Sequence, residues 1–362
     1  MLSGAAVPSL EHQIGQMLML GFQGSEVHEG SLILEDIQRW SIGGVVLFQR
    51  DLATGAPVRN IVEPKQLRRL IHTLRGAAAT PLWVAIDEEG GQVHRLKEHF
   101  GLEPSWTAES LGRTGNTQET IRQALRTARV LREMGINLNF APVVDLRIDG
   151  QSPSIGAVQR SFGGSAEQVF QHARAVSVAH RRYAVLGVPK HFPGHGSARE
   201  DSHDGLPDVT KTWSNVELIP YRRLMDEDLC GAVMVGHLFH RDLDPHKPAT
   251  LSKSIVTDLL RHRMGFTGVV ISDDLHMAAI AAHNSLRQTL KLAIQAGVDI
   301  LMFSNNRPGA EIHAEELVAT IKDLVESHEL PRSLIRQAYA RISSLKHRMA
   351  QWSEQSASEP SP

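Results

Sequence analysis

The stretch PKHFPGHGSAREDSHDGLP, residues 189–207, is rich in side chains that can do chemistry. It holds three histidines, a lysine and three carboxylates within nineteen positions, and few apolar residues. Imidazole and carboxylate groups serve as metal ligands, or as proton donors and acceptors near neutral pH. The segment therefore indicates a metal site, an acid/base pair or a polar loop.

A metal site in this segment would need His191, His195 and His203 to converge. His191 and His195 are four residues apart, a spacing that places two side chains on one face of a helix. Pro193 and the glycines on either side of His195 disfavour a helix here. A loop could still bring the three histidines together, so a metal-dependent hydrolase that uses them with Asp273 stays an alternative.

Asp201 and His203 form a candidate acid/base pair. In an extended segment, side chains two residues apart point to the same side, so Asp201 can hydrogen-bond one imidazole nitrogen and leave the other for a substrate. The carboxylate favours imidazolium and raises the pKa of the histidine, as a general acid near neutral pH requires. An Asp-x-His pattern is common by chance, so a catalytic role for this pair also requires a second reactive group elsewhere in the chain.

The segment ISDDLHMAAI, residues 271–280, supplies a possible partner. Asp273 closes a predicted buried strand, where a carboxylate nucleophile would project from the strand end. Spacing alone does not separate Asp273 from Asp274, and we expect one of the two to cap a helix that begins near Leu275.

Short apolar runs alternate with amphipathic, helix-period segments along the chain. Such strands, separated by helices, are typical of parallel strands covered on both faces. The pattern predicts a single (β/α)8 barrel over residues 10–350, with a doubly wound open sheet as the alternative. We expect residues 1–9 to be an N-terminal extension and the polar segment 351–362 to be a disordered tail. The eight runs span 14–22, 43–48, 82–87, 136–145, 185–192, 231–237, 268–273 and 298–304.

Polar side chains stand at the ends of five of these runs. The C-terminal ends of parallel strands meet at one face of a barrel, where the active site is built. A single Asp or His can instead cap the following helix, but five such ends predict one constellation. These residues are Asp87, Asp145, Lys190 with His191, His237 and Asp273.

The bulk composition narrows the class of partner. A net charge of -2 and a pI of about 6.8 offer no basic surface for nucleic acid or for an anionic membrane. The single cysteine, Cys230, cannot form an internal disulfide. Neither a signal peptide nor a membrane span is visible, so we expect a cytoplasmic, monomeric enzyme that acts on a small molecule.

Several motifs together resemble glycoside hydrolase family 3, in particular its bacterial β-N-acetylglucosaminidases of cell-wall recycling. The resemblance runs from about residue 10 to 345, and KHFPGHG followed by DSH and then SDDL is its most specific part. It implies a barrel enzyme that removes β-linked N-acetylglucosamine from peptidoglycan (anhydro-muropeptide) fragments without a metal or an organic cofactor. The other matching motifs are IDEEGGQVHRL, NFAPVVDL, RSFGG and PATLS.

The resemblance also implies roles for particular residues. Asp273 matches the catalytic nucleophile, His203 the general acid/base, and Asp201 the carboxylate that pairs with it. We expect structural roles for Glu88 and Glu89. The residues that match those holding the sugar are Asp87, Arg95, Arg160, Lys190 and His191.

A retaining mechanism follows from this resemblance. Retaining glycosidases usually employ two carboxylates, and here a histidine would replace one of them. Asp273 would form a covalent glycosyl-enzyme, which water activated by His203 would hydrolyse. A phosphorylase and a β-glucosidase of the same family remain alternatives, as does a barrel that binds sugar without turnover.

Overall fold

The computed structural model describes residues 8–102, 105–148, 150, 152–201, 205–309 and 311–358. Each of the eight apolar runs contains one short strand, and all eight strands are buried along their length. The strands are β1 (Leu18–Gly21), β2 (Gly44–Val46), β3 (Trp83–Ile86), β4 (Leu138–Asn139), β5 (Leu186–Gly187), β6 (Ala232–Val235), β7 (Val269–Ser272) and β8 (Leu301–Phe303).

All paired strands in the described chain run parallel. Six of them form one sheet in the order β5-β4-β3-β2-β1-β8, and β6 pairs with β7. Single-residue bridges between Phe192 and Val235 and between Ile271 and Ile300 connect this pair to the larger sheet. The fold is therefore α/β with parallel strands. Consecutive strands are neighbours, without the reversal in strand order that defines a doubly wound sheet.

Helices follow the strands and cover them. Apolar side chains of both layers form one continuous core. A π-helix, Ser254–Arg263, connects β6 to β7, and a 3-10 turn, Asn215–Leu218, precedes α7. The α-helices are α1 (Leu10–Gln16), α2 (Leu32–Trp40), α3 (Pro64–Gly76), α4 (Ala108–Arg113), α5 (Gln118–Met134), α6 (Ala166–Arg182), α7 (Ile219–Asp226), α8 (Ala278–Ala281), α9 (Leu286–Ala296), α10 (Ala314–Glu326) and α11 (Arg332–Ser358).

Local sequence signals explain where several helices begin and end. α9 begins after Ser285, whose side chain accepts a hydrogen bond from the amide of Gln288. α5 and α9 end at Gly135 and Gly297, which adopt φ of 93° and 103°. Glycine adopts this left-handed conformation without a steric penalty and so ends a helix cleanly.

The prediction of a disordered tail over 351–362 is wrong for its first part. Helix α11 continues to Ser358, past residue 350 where we expected the folded unit to end. Trp352 anchors this end, because the guanidinium groups of Arg181 and Arg348 lie 5.2 Å and 5.8 Å from the centre of its ring. In the described chain, no helix is both long and apolar enough to cross a membrane.

A buried lysine joins helix α11 to the N-terminal ends of the strands. Lys346 Nζ donates hydrogen bonds to Gln16 Oε1 at 2.8 Å and to the carbonyl of Gly43 at 2.9 Å. It also lies 4.8 Å from the centre of the Trp83 ring. Burial lowers the pKa of Lys346 to about 7, because the charged form loses its hydration there.

This pKa predicts how stability changes with pH. A base with a lowered pKa in the folded state penalises folding most below that pKa, and the penalty vanishes above the pKa in the unfolded chain. The free energy of unfolding of the parent should therefore rise between pH 7 and about 10.5 relative to Lys346→Met. Denaturant unfolding at several pH values measures this difference. The exposed control Lys253→Met should follow the parent, and equal pH slopes for parent and Lys346→Met would contradict the assignment.

Candidate active site

A cleft of about 320 Å³ opens at the C-terminal ends of the strands. The loop after β3, the segment after β5 and the residues after β7 and β8 each contribute polar groups, as the convergence argument predicts. Methionines from β6, β8 and the segment before α8 supply apolar surface. The charged residues of the lining are Arg50, Asp87, Glu89, Arg95, Arg160, Lys190, Asp273, Asp274 and Arg307, with His191 and His195 beside them.

A network of paired charges forms one wall of this cleft. Lys190 Nζ donates to Asp87 Oδ1 at 2.6 Å and lies 2.7 Å from Glu89 Oε1. Arg160 donates two hydrogen bonds to the same Glu89 carboxylate, at 2.8 Å and 2.7 Å. Such bidentate pairs fix the planes of both groups. The wall presents fixed donors and acceptors, as recognition of sugar hydroxyls requires.

The charges in this wall hold one another ionised. Burial alone would raise the pKa of Glu89, but the charges of Arg160 and Lys190 hold it well below its usual range. Burial would likewise lower the pKa of Lys190, yet Asp87 and Glu89 raise it instead. Both groups therefore stay charged across the physiological pH range.

Glu88 and Glu89 differ in their surroundings, although they are adjacent. Glu88 is buried and accepts hydrogen bonds from the amides of Arg95 and Leu96, at 2.8 Å and 2.9 Å, and from the ring of His94. These contacts support the structural role that we expected for Glu88. Glu89 instead lines the cleft, where it holds Lys190 and Arg160, and the structural role that we expected for it stays a prediction. Arg95 reaches the cleft from the same loop, with Nη2 3.9 Å from Asp87 Oδ2.

Asp145 organises the segment that carries the two nearest histidines. It accepts hydrogen bonds from His191 Nδ1 at 2.7 Å and from the backbone amide of His195 at 2.7 Å. Because Nδ1 of His191 is bound to this carboxylate, Nε2 is left on the side of Arg160, 3.4 Å from its Nη2. Sequence reasoning found Asp145 as a strand end but gave it no role.

His195 does not behave as a proton donor in this arrangement. Burial lowers its pKa to about 4, and the nearby His191 acts in the same direction. The ring therefore stays neutral near pH 7. Its centre lies 5.6 Å from that of His191, with the rings edge to face. Within the described residues, no group of three or more His, Cys, Asp or Glu side chains is placed to hold a metal ion.

The adjacent carboxylates Asp273 and Asp274 have separate surroundings. The amide of Asp273 donates to the carbonyl of Val235 at 3.0 Å, which ties the end of β7 to β6. Its half-buried carboxylate lines the cleft and accepts a hydrogen bond from the amide of Asp274 at 2.8 Å. Burial opposes ionisation of Asp273, but the nearby His237 and other positive groups outweigh it and lower the pKa to about 2. Asp273 is thus a carboxylate at every pH at which the protein would work.

Asp274 instead serves the fold. It accepts hydrogen bonds from the amide and hydroxyl of Ser304, at 3.1 Å and 2.5 Å, and from the amide of His276 at 3.1 Å. Helix α8 begins at Ala278, later than the position near Leu275 where we expected a capped helix. His237 supports the same backbone, since its Nε2 lies 2.9 Å from the carbonyl oxygen of Asp274.

The structure describes only one of the two acid/base candidates. Asp201 is described, and it is not among the residues that line the cleft. His203 lies outside the described residues. The pairing of Asp201 with His203 therefore stays a prediction.

Sequence reasoning also missed part of the cleft. Glu89 carries a visible signal, since it stands two residues after Asp87 at a strand end. Met234, Met277 and Met302 also line the cleft, but the sequence gives no signal for them. An apolar residue in a strand or loop is predicted to belong to the hydrophobic core. Arg50 and Arg307 come from loops after β2 and β8, where the sequence shows no pattern.

The contrast between the two aspartates gives a stability prediction. Asp274→Ala should lower the free energy of unfolding by about 2–4 kcal/mol, because three donors lose a buried acceptor. Asp273→Ala should cost clearly less, because only the amide of Asp274 donates to that carboxylate within the described contacts. Urea unfolding of both variants measures the difference. Equal losses would contradict the separation of roles.

Comparison with known proteins identifies relatives over nearly the whole chain. The model of the glycosyl hydrolase family 3 N terminal domain matches residues 9–345. A beta-hexosaminidase of Tolumonas auensis is 35% identical over 296 residues, which cover 81% of this chain and 84% of the relative.

Solved structures of the same family share the fold. A glycoside hydrolase family 3 beta-N-acetylglucosaminidase from Paenibacillus superposes with a TM-score of 0.85 and 30% identity, over 98% of this chain. This chain spans only 64% of that protein. A beta-N-acetylhexosaminidase from Beutenbergia cavernae gives a TM-score of 0.84 and 29% identity, over 95% of this chain and 100% of the other.

Proposed function

Since the chain belongs to glycosyl hydrolase family 3, we propose that it is a retaining exo-β-N-acetylglucosaminidase. The observation that carries this proposal is the ionised carboxylate of Asp273 in a cleft whose wall is a network of fixed charges. The names of the relatives support the choice of an amino sugar over glucose. No resident metal or organic cofactor enters the proposed reaction.

Asp273 is proposed as the nucleophile. A retaining glycosidase needs a carboxylate that is ionised before substrate arrives, so that it can attack the anomeric carbon and form a covalent glycosyl-enzyme. The lowered pKa of Asp273 meets this condition, whereas Asp274 has its oxygens occupied by Ser304 and His276. This distinction supports Asp273 over Asp274, which spacing alone does not separate.

His203 is proposed as the general acid/base, with Asp201 as its partner. Imidazolium would protonate the departing glycosidic oxygen, and the neutral ring would then take a proton from the water that hydrolyses the intermediate. The support for this assignment is the DSH motif and the family. His195 is unsuited to the role, because its lowered pKa leaves it neutral at working pH.

Five residues are proposed to hold the sugar ring. Lys190 and Asp87 form a close pair that offers both a donor and an acceptor to neighbouring hydroxyls. Arg160 and Lys190 are fixed by Glu89, which we add to the site as the carboxylate that orients both cations. Fixed groups lower the ordering cost of binding and keep the anomeric carbon near Asp273. The remaining members are Arg95 and His191.

The fold and the substrate are proposed in finer detail. The two single-residue bridges that connect β6 and β7 to the larger sheet support a closed (β/α)8 barrel. The natural substrate is proposed to be a peptidoglycan fragment in which N-acetylglucosamine is β-linked to anhydro-muramic acid.

Cytoplasmic location, a monomeric state and a single catalytic unit over residues 10–350 remain proposals from the sequence.

The decisive test compares two chromogenic substrates and two variants. The parent should cleave 4-nitrophenyl β-N-acetylglucosaminide faster than the β-glucoside. Asp273→Ala should lower kcat/KM by about 10³-fold or more, and His203→Ala by about 10²–10⁴-fold. Asp258→Ala and His262→Ala are matched controls, since these residues form an exposed pair on the π-helix. They should retain full activity.

Several outcomes would contradict the proposal. Faster cleavage of the glucoside would exclude the substrate class, and an active Asp273→Ala would exclude the nucleophile. Formation of N-acetylglucosamine-1-phosphate in phosphate buffer would indicate a phosphorylase. Activity that disappears with a chelator and returns with zinc would indicate the metal-dependent alternative. Proton NMR of the first product should show the β anomer, as retention requires.

A further inference from the structure

The buried carboxyl group of Glu217 lies against the turn Gly194–Ser197, which follows His191. Glu217 belongs to the 3-10 turn Asn215–Leu218 just before α7, and only 1% of its surface is exposed. Among the described residues, it takes part in no ion pair, whereas the buried Glu89 pairs with two cations. A buried carboxylate without a positive partner is strongly destabilising.

The surroundings of Glu217 are the backbone and hydroxyl groups of the turn Gly194–Ser197. The contact is close, because a β-carbon at Gly194 would lie 2.5 Å from Glu217 Oε2. The hydroxyl of Ser197 and the backbone of Gly196 lie beside the carboxyl group. Neither carboxyl oxygen makes a hydrogen bond of normal geometry with a described residue, and the same holds for the buried hydroxyl of Tyr221.

A second carboxylate, Asp145, lies close enough to influence Glu217. Asp145 receives hydrogen bonds from His191 and His195, so it is the member of the pair that carries the negative charge. Two like charges in a buried site cannot both ionise at their usual pH. Burial first, and then the charge of Asp145, raise the pKa of Glu217 to about 8.

We propose that Glu217 is a positioning residue, whose neutral carboxylic acid supports the turn Gly194–Ser197 and, through it, Asp145 and His191. This inference rests on the proposed function, because it concerns how the sugar-binding side of the same cleft is held. Glu217 touches no residue of the charged wall directly and lies outside the cleft lining. It acts through Asp145, which fixes the ring of His191.

Loss of the proton from Glu217 would place a second negative charge beside Asp145. The other charged or titratable groups near this pair are Arg160, His191 and His195, the last two on the segment after β5, and Tyr221 on α7. Arg160 carries the same charge before and after Glu217 loses its proton. The low pKa of His195 and the high pKa of Tyr221 leave both neutral between pH 6 and 9, so neither can offset the new charge. Ionisation therefore strains the turn.

The raised pKa of Glu217 determines how the free energy of unfolding changes with pH. A carboxyl group whose folded pKa is raised stabilises the fold fully below its pKa in the unfolded chain. That contribution is lost as the pH rises towards 8, and above this value no more is lost. Stability should therefore fall between about pH 4.5 and 8 and then level off, whereas activity should fall near and above pH 8, where Glu217 ionises in the folded protein.

Glu217→Gln tests the proposal, because glutamine has nearly the same shape and cannot ionise. The ratio of kcat/KM of Glu217→Gln to that of the parent, measured on 4-nitrophenyl β-N-acetylglucosaminide, should be close to one at pH 6. It should rise about tenfold by pH 9, where about one-tenth of Glu217 would keep its proton. Titratable groups that both proteins share affect the two kcat/KM values equally, so their effect cancels in the ratio. The exposed control Glu133→Gln should give a constant ratio.

A second measurement reads the proton directly. Difference infrared spectroscopy of the parent should show a protonated carboxyl band at pH 6.5 that disappears near pH 8 and is missing in Glu217→Gln. A parent without any protonated carboxyl band at pH 6.5 would overturn the proposal even if the variant failed to fold.

The two proposals fail in different ways. A ratio of kcat/KM that does not change with pH would exclude Glu217 as a positioning residue and leave the glycosidase assignment intact. If the parent does not cleave the N-acetylglucosaminide at all, the proposed function fails, while the infrared band still reports on Glu217.

Discussion

The site depends on the mutual compensation of four charges, those of Lys190, Arg160, Asp87 and Glu89. Three of the four side chains are at least 85% buried, and each cation contacts Glu89 at hydrogen-bond distance. Removing any one of them would leave an uncompensated charge among largely buried groups, at a cost of several kcal/mol. This constraint fixes the loop after β3, the segment around residue 160 and the end of β5 relative to one another.

The same network reaches the proposed nucleophile. Burial opposes ionisation of Asp273, but the nearby His237, His191 and Lys190 outweigh it and lower the pKa of its carboxyl group. His191 is in turn oriented by Asp145. The charged wall and the carboxylate of Asp273 thus belong to one electrostatic unit, so a change in one alters the charge state or orientation of the other.

Much of the architecture could be predicted because it repeats local rules. Every apolar run contains a strand, and the polar residues that end three of these runs line one cleft, namely Asp87, Lys190 with His191, and Asp273. Element boundaries were harder to predict where two patterns share one segment or where a distant contact decides. The run 14–22 holds both the end of α1 and strand β1, and the polar segment after residue 350 is helical because Trp352 packs beneath two arginines.

The sequence by itself determined the strands, the family motifs and the residues that can carry charge, since hydrophobic period and residue type are properties of the chain. Only the tertiary structure decided what each charge does. Asp273 and Asp274 are identical and adjacent, and both line the cleft, yet only Asp274 has its oxygens held by Ser304 and His276 within the described contacts. Glu88 and Glu89 separate in the same way, and the carboxyl of Glu217 becomes notable only beside Asp145. Burial and neighbours set these differences, and both come from residues far away in the sequence.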